Sequence, residues 1–331
     1  MNFSLVVCTY KRPEPLKKLL YSVFIQDLYP QQIIIIDGSP DDATKDLILN
    51  LNYNNVEYFK VEEKDRGLTR QRNFGISKVE GGSEFVCFLD DDIVLKEGYF
   101  SKLLKTYIEY PDAIGVGGYI LEDVEWKKQN FAASNDEFVI DGWVRKLGSR
   151  NVFRKKLGIL SDAPPGFMPE EGNGFSTGFL PPSGKIYEVE FFMGGVASYR
   201  ISLFNKIGFS PYFEGYGLYE DMDFCLRASK LGSLYVNTGA QLYHHHEPGG
   251  RPNRYKYGKM VIRNGWYVWR VKYKNPDIVA KLKWHQIAFV LTFVRILNTF
   301  TTKEKKEAFT ESLGRISGWW SLIWNRPNIE R

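Results

Sequence analysis

Over the first 120 residues, short apolar runs alternate with segments whose apolar residues recur at helical spacing. FSLVVC, residues 3–8, has strand length, and from Pro13 onward Leu16, Leu19, Leu20, Val23 and Phe24 fall on one helical face. QIIIIDG predicts a second strand, followed by an Asp-rich stretch and the short helix TKDLILNL. VEYFKV, LTRQRNFGISKV, EFVCFLDDD and GYFSKLLKTYIEY repeat the rhythm. Strands dense in Ile, Val and Phe, alternating with helices, predict an α/β fold with a mostly parallel sheet flanked by helices. In such sheets ligands gather at the carboxyl ends of the strands. The polar clusters CTYKR, DGSPDD and LDDD all fall there.

Residues 121–185 break this pattern. They are rich in Gly and Pro (APPGF, GNGFSTGFLPPSG) and read as long loops near a site. Order returns at IYEVEFFMGG, in a helical pattern around SLFNKIG, and at YEDMDFCLRASKLG. From about Arg251 the chain reads as mostly helical, aromatic and basic.

Composition adds little to that picture. A net charge of +5 suits an anionic ligand or a membrane surface without demanding nucleic acid. Cys8, Cys87 and Cys225 are far apart, lie in apolar contexts and show no zinc spacing, which predicts reduced thiols in a cytosolic protein. MNFSLVVCTYKRP lacks the layout of a secretory leader and reads as a strand entering the fold.

Candidate chemistry comes from three clusters of residues. Alternation along the strand ending in LDDD points Asp90 and Asp92 together. Acids held that close repel unless a cation lies between them, and a divalent ion carrying a nucleotide diphosphate is the simplest partner. The other reading is an Asp-capped turn. LYHHHEPGG holds three of the four histidines, and His244 and His246 share a face if the preceding strand continues. Imidazole with carboxylate suits an ion such as manganese.

EGYGLYEDMDFCLR places Glu220, Asp221 and Asp223 at a helix start, where free N–H groups favour an ionised carboxylate able to act as a general base. Plain capping is the alternative. On the nucleotide side, Thr9, Tyr10 and Arg12 follow the first strand, Asp37 and Ser39 the second, and Arg72 lies in GLTRQRNFG. Arg suits phosphate, and an Asp can accept the imide N–H of uracil or thymine. Neither GxGxxG nor GxxxxGK[ST] occurs.

In order, VVCTYKRP, IIIIDGSPDD, GLTRQRNFG, FLDDD, FMGG, YEDMDF and a late HHH resemble the family-2 glycosyltransferases, over roughly residues 1–250. The resemblance implies a GT-A (Rossmann-like) fold, with residues 1–120 as the nucleotide-binding half and 121–250 as the acceptor-binding half. Residues 251–331 would be a helical C-terminal extension. It implies that Asp37 contacts the base, with Thr9 and Arg12 lining the same pocket, and that Tyr10, Ser39 and Asp91 belong to the nucleotide side. Arg72 stands near the diphosphate and Asp90 near the ribose. Asp92 ligates Mn²⁺ or Mg²⁺ together with one of the late histidines, His244 ahead of His246. Asp91 is expected to point away from the ion and support the turn.

Asp221, with Glu220 beside it, would deprotonate the acceptor hydroxyl. Gly194 and Gly195 would allow close approach to sugar or acceptor, and Trp143 and Tyr219 join them on that side. The implied function is an inverting transfer from a UDP- or dTDP-sugar to a glycan or lipid-linked glycan, in cell-surface polysaccharide synthesis. A nucleotidyltransferase would instead show a Gly-rich N-terminal loop with Arg and Lys. A non-catalytic nucleotide-sugar-binding protein would need no base.

KWHQIAFVLTFVRILNTF (283–300) is short for a bilayer span and contains Arg295, and GRISGWWSLIWNRP adds three tryptophans beside basic residues. Residues 280–325 therefore read as helices resting on the inner face of the cell membrane, or packed on the core or a second subunit. The sequence leaves the oligomeric state open.

Overall fold

The computed structural model describes residues 1–51, 53, 55–121, 124–130, 134–213, 215–245 and 252–329. The chain begins with β1 (Phe3–Thr9), α1 (Pro13–Phe24), β2 (Gln32–Asp37), α2 (Ala43–Leu51), β3 (Val56–Lys60) and α3 (Leu68–Ile76). It continues through β4 (Phe85–Asp90), β5 (Ile93–Leu95), α4 (Tyr99–Glu109) and β6 (Ala113–Ile120). Then come β7 (Lys127–Lys128), β8 (Glu137–Ile140), β9 (Trp143–Lys146), α5 (Ser149–Lys156), β10 (Ile186–Val189) and β11 (Val196–Arg200). The last elements are α6 (Glu220–Ala228), β12 (Ser233–His244), α7 (Arg254–Lys272), α8 (Ile278–Thr301) and α9 (Lys305–Trp324). Two compact units result: Met1–Asp123 with Pro182–Arg251, and Val124–Pro181 with Pro252–Arg331.

The first unit is built on one sheet, in the order β10-β12-β6-β11-β4-β1-β2-β3, with β5 pairing β12. β3, β2, β1 and β4 are mutually parallel, as are β6 and β12. β11 runs antiparallel between β4 and β6. Every residue of β2 is buried, as expected of a strand covered on both faces. Helix α1 starts at Pro13, where a missing N–H costs nothing, and sets Leu16, Leu19, Leu20 and Val23 against Leu5, Ile33 and Ile35. Each such side chain contributes about 1.5–3 kcal/mol on burial.

Register positions the site. Cys8 pairs with Asp90 and Thr9 with Asp37, so β1, β2 and β4 end side by side and their polar tails meet. The helical pattern around SLFNKIG forms only a 3₁₀ turn, Ile201–Asn205. Confined between extended Arg200 and Gly208, it is too short to offset the cost of helix nucleation.

The second unit holds more regular structure than the expected loops. β7, β9 and β8 form a small antiparallel sheet, and α5 follows it. These strands are two to four residues long, too short for alternation to register in the sequence. The long helices α7, α8 and α9 fill the rest of this unit, as the C-terminal pattern predicts. Gly258 and Gly314 let α7 and α9 approach closely, since a Cβ on either would stand 2.1 Å from the facing backbone oxygen. Arg295, the charge inside the apolar run of α8, turns onto buried Glu311 at 2.8 Å, and Glu311 also binds Arg315 at 2.7 Å. Among the described residues no helix is long and apolar enough to cross a membrane.

Candidate active site

β4 ends at Asp90 and β12 ends at His244, whose backbone pairs with Ile93 at the start of β5. This closure brings ligand atoms of Asp90, Asp92 and His244 within 4.8 Å of one another. His244 Nε2 lies 2.8 Å from Asp92 Oδ1, and the His245 N–H donates to the Asp92 carbonyl at 3.0 Å. Burial alone would lower the His244 imidazole, but its bond to Asp92 and the charges of Asp90 and Asp92 more than reverse this and raise it. Two carboxylates with one imidazole form a donor set suited to a borderline-hard divalent cation. His246 lies outside the described residues.

Asp91, outside that group of ligand atoms, is buried. It accepts from the Thr9 hydroxyl at 2.7 Å and from the Arg12 guanidinium at 3.0 Å, and Arg12 also reaches Asp92 at 3.4 Å. Burial pushes the Asp91 carboxyl up to about 6, against the pull of Thr9 and Arg12. Thr9 and Arg12 thus hold the acid turn in place. Tyr10, next to them, is 40% exposed.

Asp37, expected to meet the base, is 0% exposed. One oxygen accepts from the Ser39 N–H at 2.7 Å and the other from the Tyr58 hydroxyl at 2.9 Å. Ser39 Oγ accepts in turn from the Lys11 N–H at 2.7 Å. These bonds tie the loop after β2 to the loop after β1. Sequence reasoning overlooked Gln71, whose amide donates to the Thr9 and Ile36 carbonyls at 3.3 and 2.9 Å and joins the two strand ends from α3. A Gln between two Arg residues in GLTRQRNFG reads as an exposed side chain facing solvent. Tyr58 was hidden in a strand run that gives no hint of its hydroxyl's partner.

Arg72, also on α3, is 2% exposed. Its guanidinium hydrogen-bonds Glu220 and lies 3.5 Å from Asp90. The ring of Phe209 flanks it at 5.3 Å and that of Phe88 at 5.8 Å, within cation–π range. Burial would lower this guanidinium, but Glu220 and Asp90 raise it, so its charge is secure. Glu220 opens α6 directly after Tyr219, which sits in the left-handed region at φ 70°. Burial drives the Glu220 carboxyl up to about 8 despite Arg72, and among the described residues its Oε2 has no hydrogen-bond partner.

Asp221, one residue on, accepts from the Met222 N–H at 2.7 Å and the Gly194 N–H at 3.2 Å. The helix start does supply N–H groups to it, yet burial dominates and raises its carboxyl above the ordinary range. Asp223, the third acid of that motif, is buried on Arg227 at 2.6 Å and braces the helix.

Gly194 and Gly195 make this convergence sterically feasible. A Cβ at 194 would fall 2.5 Å from an Arg72 nitrogen and 2.9 Å from Glu220 Oε1, and one at 195 would fall 2.1 Å from Asp90 Oδ2. Trp143 lies in the second unit on β9, with the Lys128 ammonium 4.0 Å from its ring.

Comparison with known proteins identifies the family and the fold. The sequence model of glycosyl transferase family 2 matches residues 4–171. The glucosyl-dolichyl phosphate glucuronosyltransferase of Haloferax volcanii is 28% identical over 195 residues, 54% of this chain and 58% of that protein. The GalNAc(5)-diNAcBac-PP-undecaprenol β-1,3-glucosyltransferase of Campylobacter jejuni is 34% identical over 106 residues, 31% of this chain and 34% of that protein. The chain therefore aligns with only about a third to just over half of these relatives. Among solved structures, the mannosyltransferase PcManGT of Pyrobaculum calidifontis, in complex with GDP-Man and Mn²⁺, superposes with a TM-score of 0.53 at 13% identity. That match covers 98% of this chain and 88% of that one. The fold is GT-A, and the chain belongs to glycosyl transferase family 2.

Proposed function

We propose that this protein is a glycosyltransferase that moves a sugar from a nucleotide-diphosphate donor, a UDP- or dTDP-sugar, to a hydroxyl of a glycan or lipid-linked glycan, with inversion. The observation that carries this reading is the convergence of two groups: Asp90, Asp92 and His244 on one side, Glu220 and Asp221 on the other. Arg72 bridges the two.

Asp90, Asp92 and His244 would hold Mn²⁺ or Mg²⁺. That ion, when bound, supplies positive charge at the departing diphosphate. Arg72 adds a fixed positive charge beside Asp90, in a buried setting where it is weakly screened. Thr9 and Arg12 keep Asp91 anchored, so that Asp90 and Asp92 stay aimed at the same point. The loops after β1 and β2, tied together by Asp37, Ser39 and Tyr58, form the edge for the nucleoside, where the ring of Tyr10 is available to it.

Asp221 takes the acceptor's hydroxyl proton. The freed oxygen attacks the anomeric carbon, and the bonding pair to the donor oxygen leaves with the nucleotide diphosphate. Attack from the face opposite the leaving group inverts the configuration in one displacement. The raised carboxyl of Asp221 makes it a better proton acceptor than an ordinary surface Asp once ionised. Acceptors of the relatives' kind, carried on a polyprenyl lipid, would place the reaction at the inner membrane surface.

A panel of nucleotide sugars, incubated with Mn²⁺ and either wild type or Asp221→Asn, tests this reading. One donor should be consumed by wild type, with most of the turnover lost in the variant. If no nucleotide sugar is hydrolysed or transferred, or if the variant keeps full activity, the assignment is wrong.

A further inference from the structure

A helix on the surface of a water-soluble domain normally turns its polar face outward. Helices α8 and α9 do the reverse. Between Ile287 and Phe300 every exposed position of α8 is apolar: Phe289, Phe293, Leu297 and Phe300, the last 75% exposed. At about 100° per residue these four share one narrow face. From Phe309 to Trp324 every exposed position of α9 is Phe, Leu, Ile or Trp, again on one face, and Trp324 is 83% exposed. Between the two helices runs an apolar cleft of about 200 Å³, walled by Phe289, Phe293, Ile296, Trp319 and Trp320. The two stripes therefore form one continuous surface, larger than the scattered apolar side chains normal on a soluble protein.

Charge identifies what covers it. Acids at the edge of these helices are few: Asp277 and Glu304 stand at their N-caps, and Glu307 pairs with Arg254. Lys281 and Lys283 rim one end of the α8 stripe, and Lys303, Lys305 and Lys306 rim the turn between the helices, all exposed. Residues 278–329 carry eight Lys and Arg against three Glu, a net of +5 equal to that of the whole chain. The charges that lie beneath the surface are neutralised locally, since Glu311 takes both Arg295 and Arg315. An apolar, aromatic face with long lysine side chains around it matches the boundary between acyl chains and anionic headgroups. A second copy of this chain would bring the same lysines into opposition across a symmetric contact.

We infer that the joint α8–α9 face is a membrane-docking surface that lies in the interface of an anionic phospholipid bilayer, with Phe293, Trp320 and Trp324 at acyl depth and the lysine rim at the phosphates. This deepens the reading of a membrane-side acceptor and rests on it only for the choice of membrane as partner. The surface belongs wholly to the second unit.

Vesicle flotation of the full chain, without donor or acceptor, tests it. Vesicles of phosphatidylglycerol with phosphatidylcholine should carry the protein, with about tenfold or greater loss on pure phosphatidylcholine and on adding high salt. Brominated acyl chains should quench the tryptophan emission of wild type. Trp320→Asp with Phe293→Asp should abolish flotation. Lys303→Glu with Lys305→Glu and Lys306→Glu, which leaves the apolar face intact, should remove the preference for anionic lipid. Donor hydrolysis measured without vesicles should be unchanged in both variants, so a failure to float and a failure of the transferase reading are scored separately. Absence of flotation and of quenching overturns the inference. So does a stable dimer of wild type that Trp320→Asp dissociates while vesicles bind neither form.

Discussion

Arg72 and Glu220 form a buried hydrogen-bonded pair across 148 residues of sequence, joining the helix behind β1 and β2 to the helix that carries the candidate base. The same guanidinium reaches Asp90 at 3.5 Å, so one side chain ties both halves of the site together.

Removing that guanidinium should therefore cost stability and turnover together. Arg72→Ala leaves the buried Glu220 carboxyl without its hydrogen-bond donor, and an unsatisfied buried polar group typically costs about 1–3 kcal/mol. Urea unfolding should show a destabilisation of that order. Arg72→Lys should fold better and still turn over slowly, because an ammonium cannot span Glu220 and Asp90 at once. Equal midpoints for the Ala variant and wild type would contradict the role given to the pair.

Asp221→Asn should lower kcat by roughly 100- to 10,000-fold, the range for loss of a positioned general base, and leave donor KM nearly unchanged. Burial raises the Asp221 carboxyl, so the acid limb of the wild-type profile of kcat/KM should lie above the ordinary Asp value of 3.8. Activity is lost as pH falls through that limb, since the base must be unprotonated. An acid limb at or below the ordinary value would exclude Asp221 as the base.

Gly195→Ala should disable the site without unfolding the protein. The new methyl group would collide with Asp90, whose carboxylate is partly exposed and can swing aside. The cost then falls on the grouping of Asp90 with Asp92 and His244. Titration calorimetry with Mn²⁺ should show affinity reduced about tenfold or more, with the melting temperature within a few degrees of wild type. His244→Ala should weaken Mn²⁺ binding at least as much.

Stability without metal should fall as pH rises. Glu220 is raised from 4.5 to about 8 and Asp91 from 3.8 to about 6. Between each pair of values the folded state keeps a proton that the unfolded chain has lost, so stability declines with pH across both windows. Melting in EDTA should thus show a falling midpoint up to about pH 8. In Glu220→Gln the part of the decline above about pH 6 should be flattened. A midpoint that rises across this range would contradict the direction of both shifts.

Much of this protein follows from local chemistry that the sequence already contains. Apolar runs of strand length such as FSLVVC and QIIIID, broken by segments of helical spacing, specify strands and helices, and the alternation of side chains along a strand depends only on near neighbours. The same alternation put Asp90 and Asp92 on one side and Asp91 on the other, and the order of the acid, glycine and histidine motifs marked the family. Tertiary structure alone decided where each polar group ends up. Asp37 lies against Tyr58 because β2 pairs with β3, and Asp91 is a buried anchor because β1 delivers Thr9 beside it. Arg72 meets Glu220 only through closure of the sheet over a long loop. Likewise, amphipathic α8 and α9 were legible as helices, yet which of their faces stays exposed depends on what α7 and Glu311 cover. Strand and helix periods are set within a few residues; partners, burial and the resulting charge states are set by contacts between residues distant in the chain.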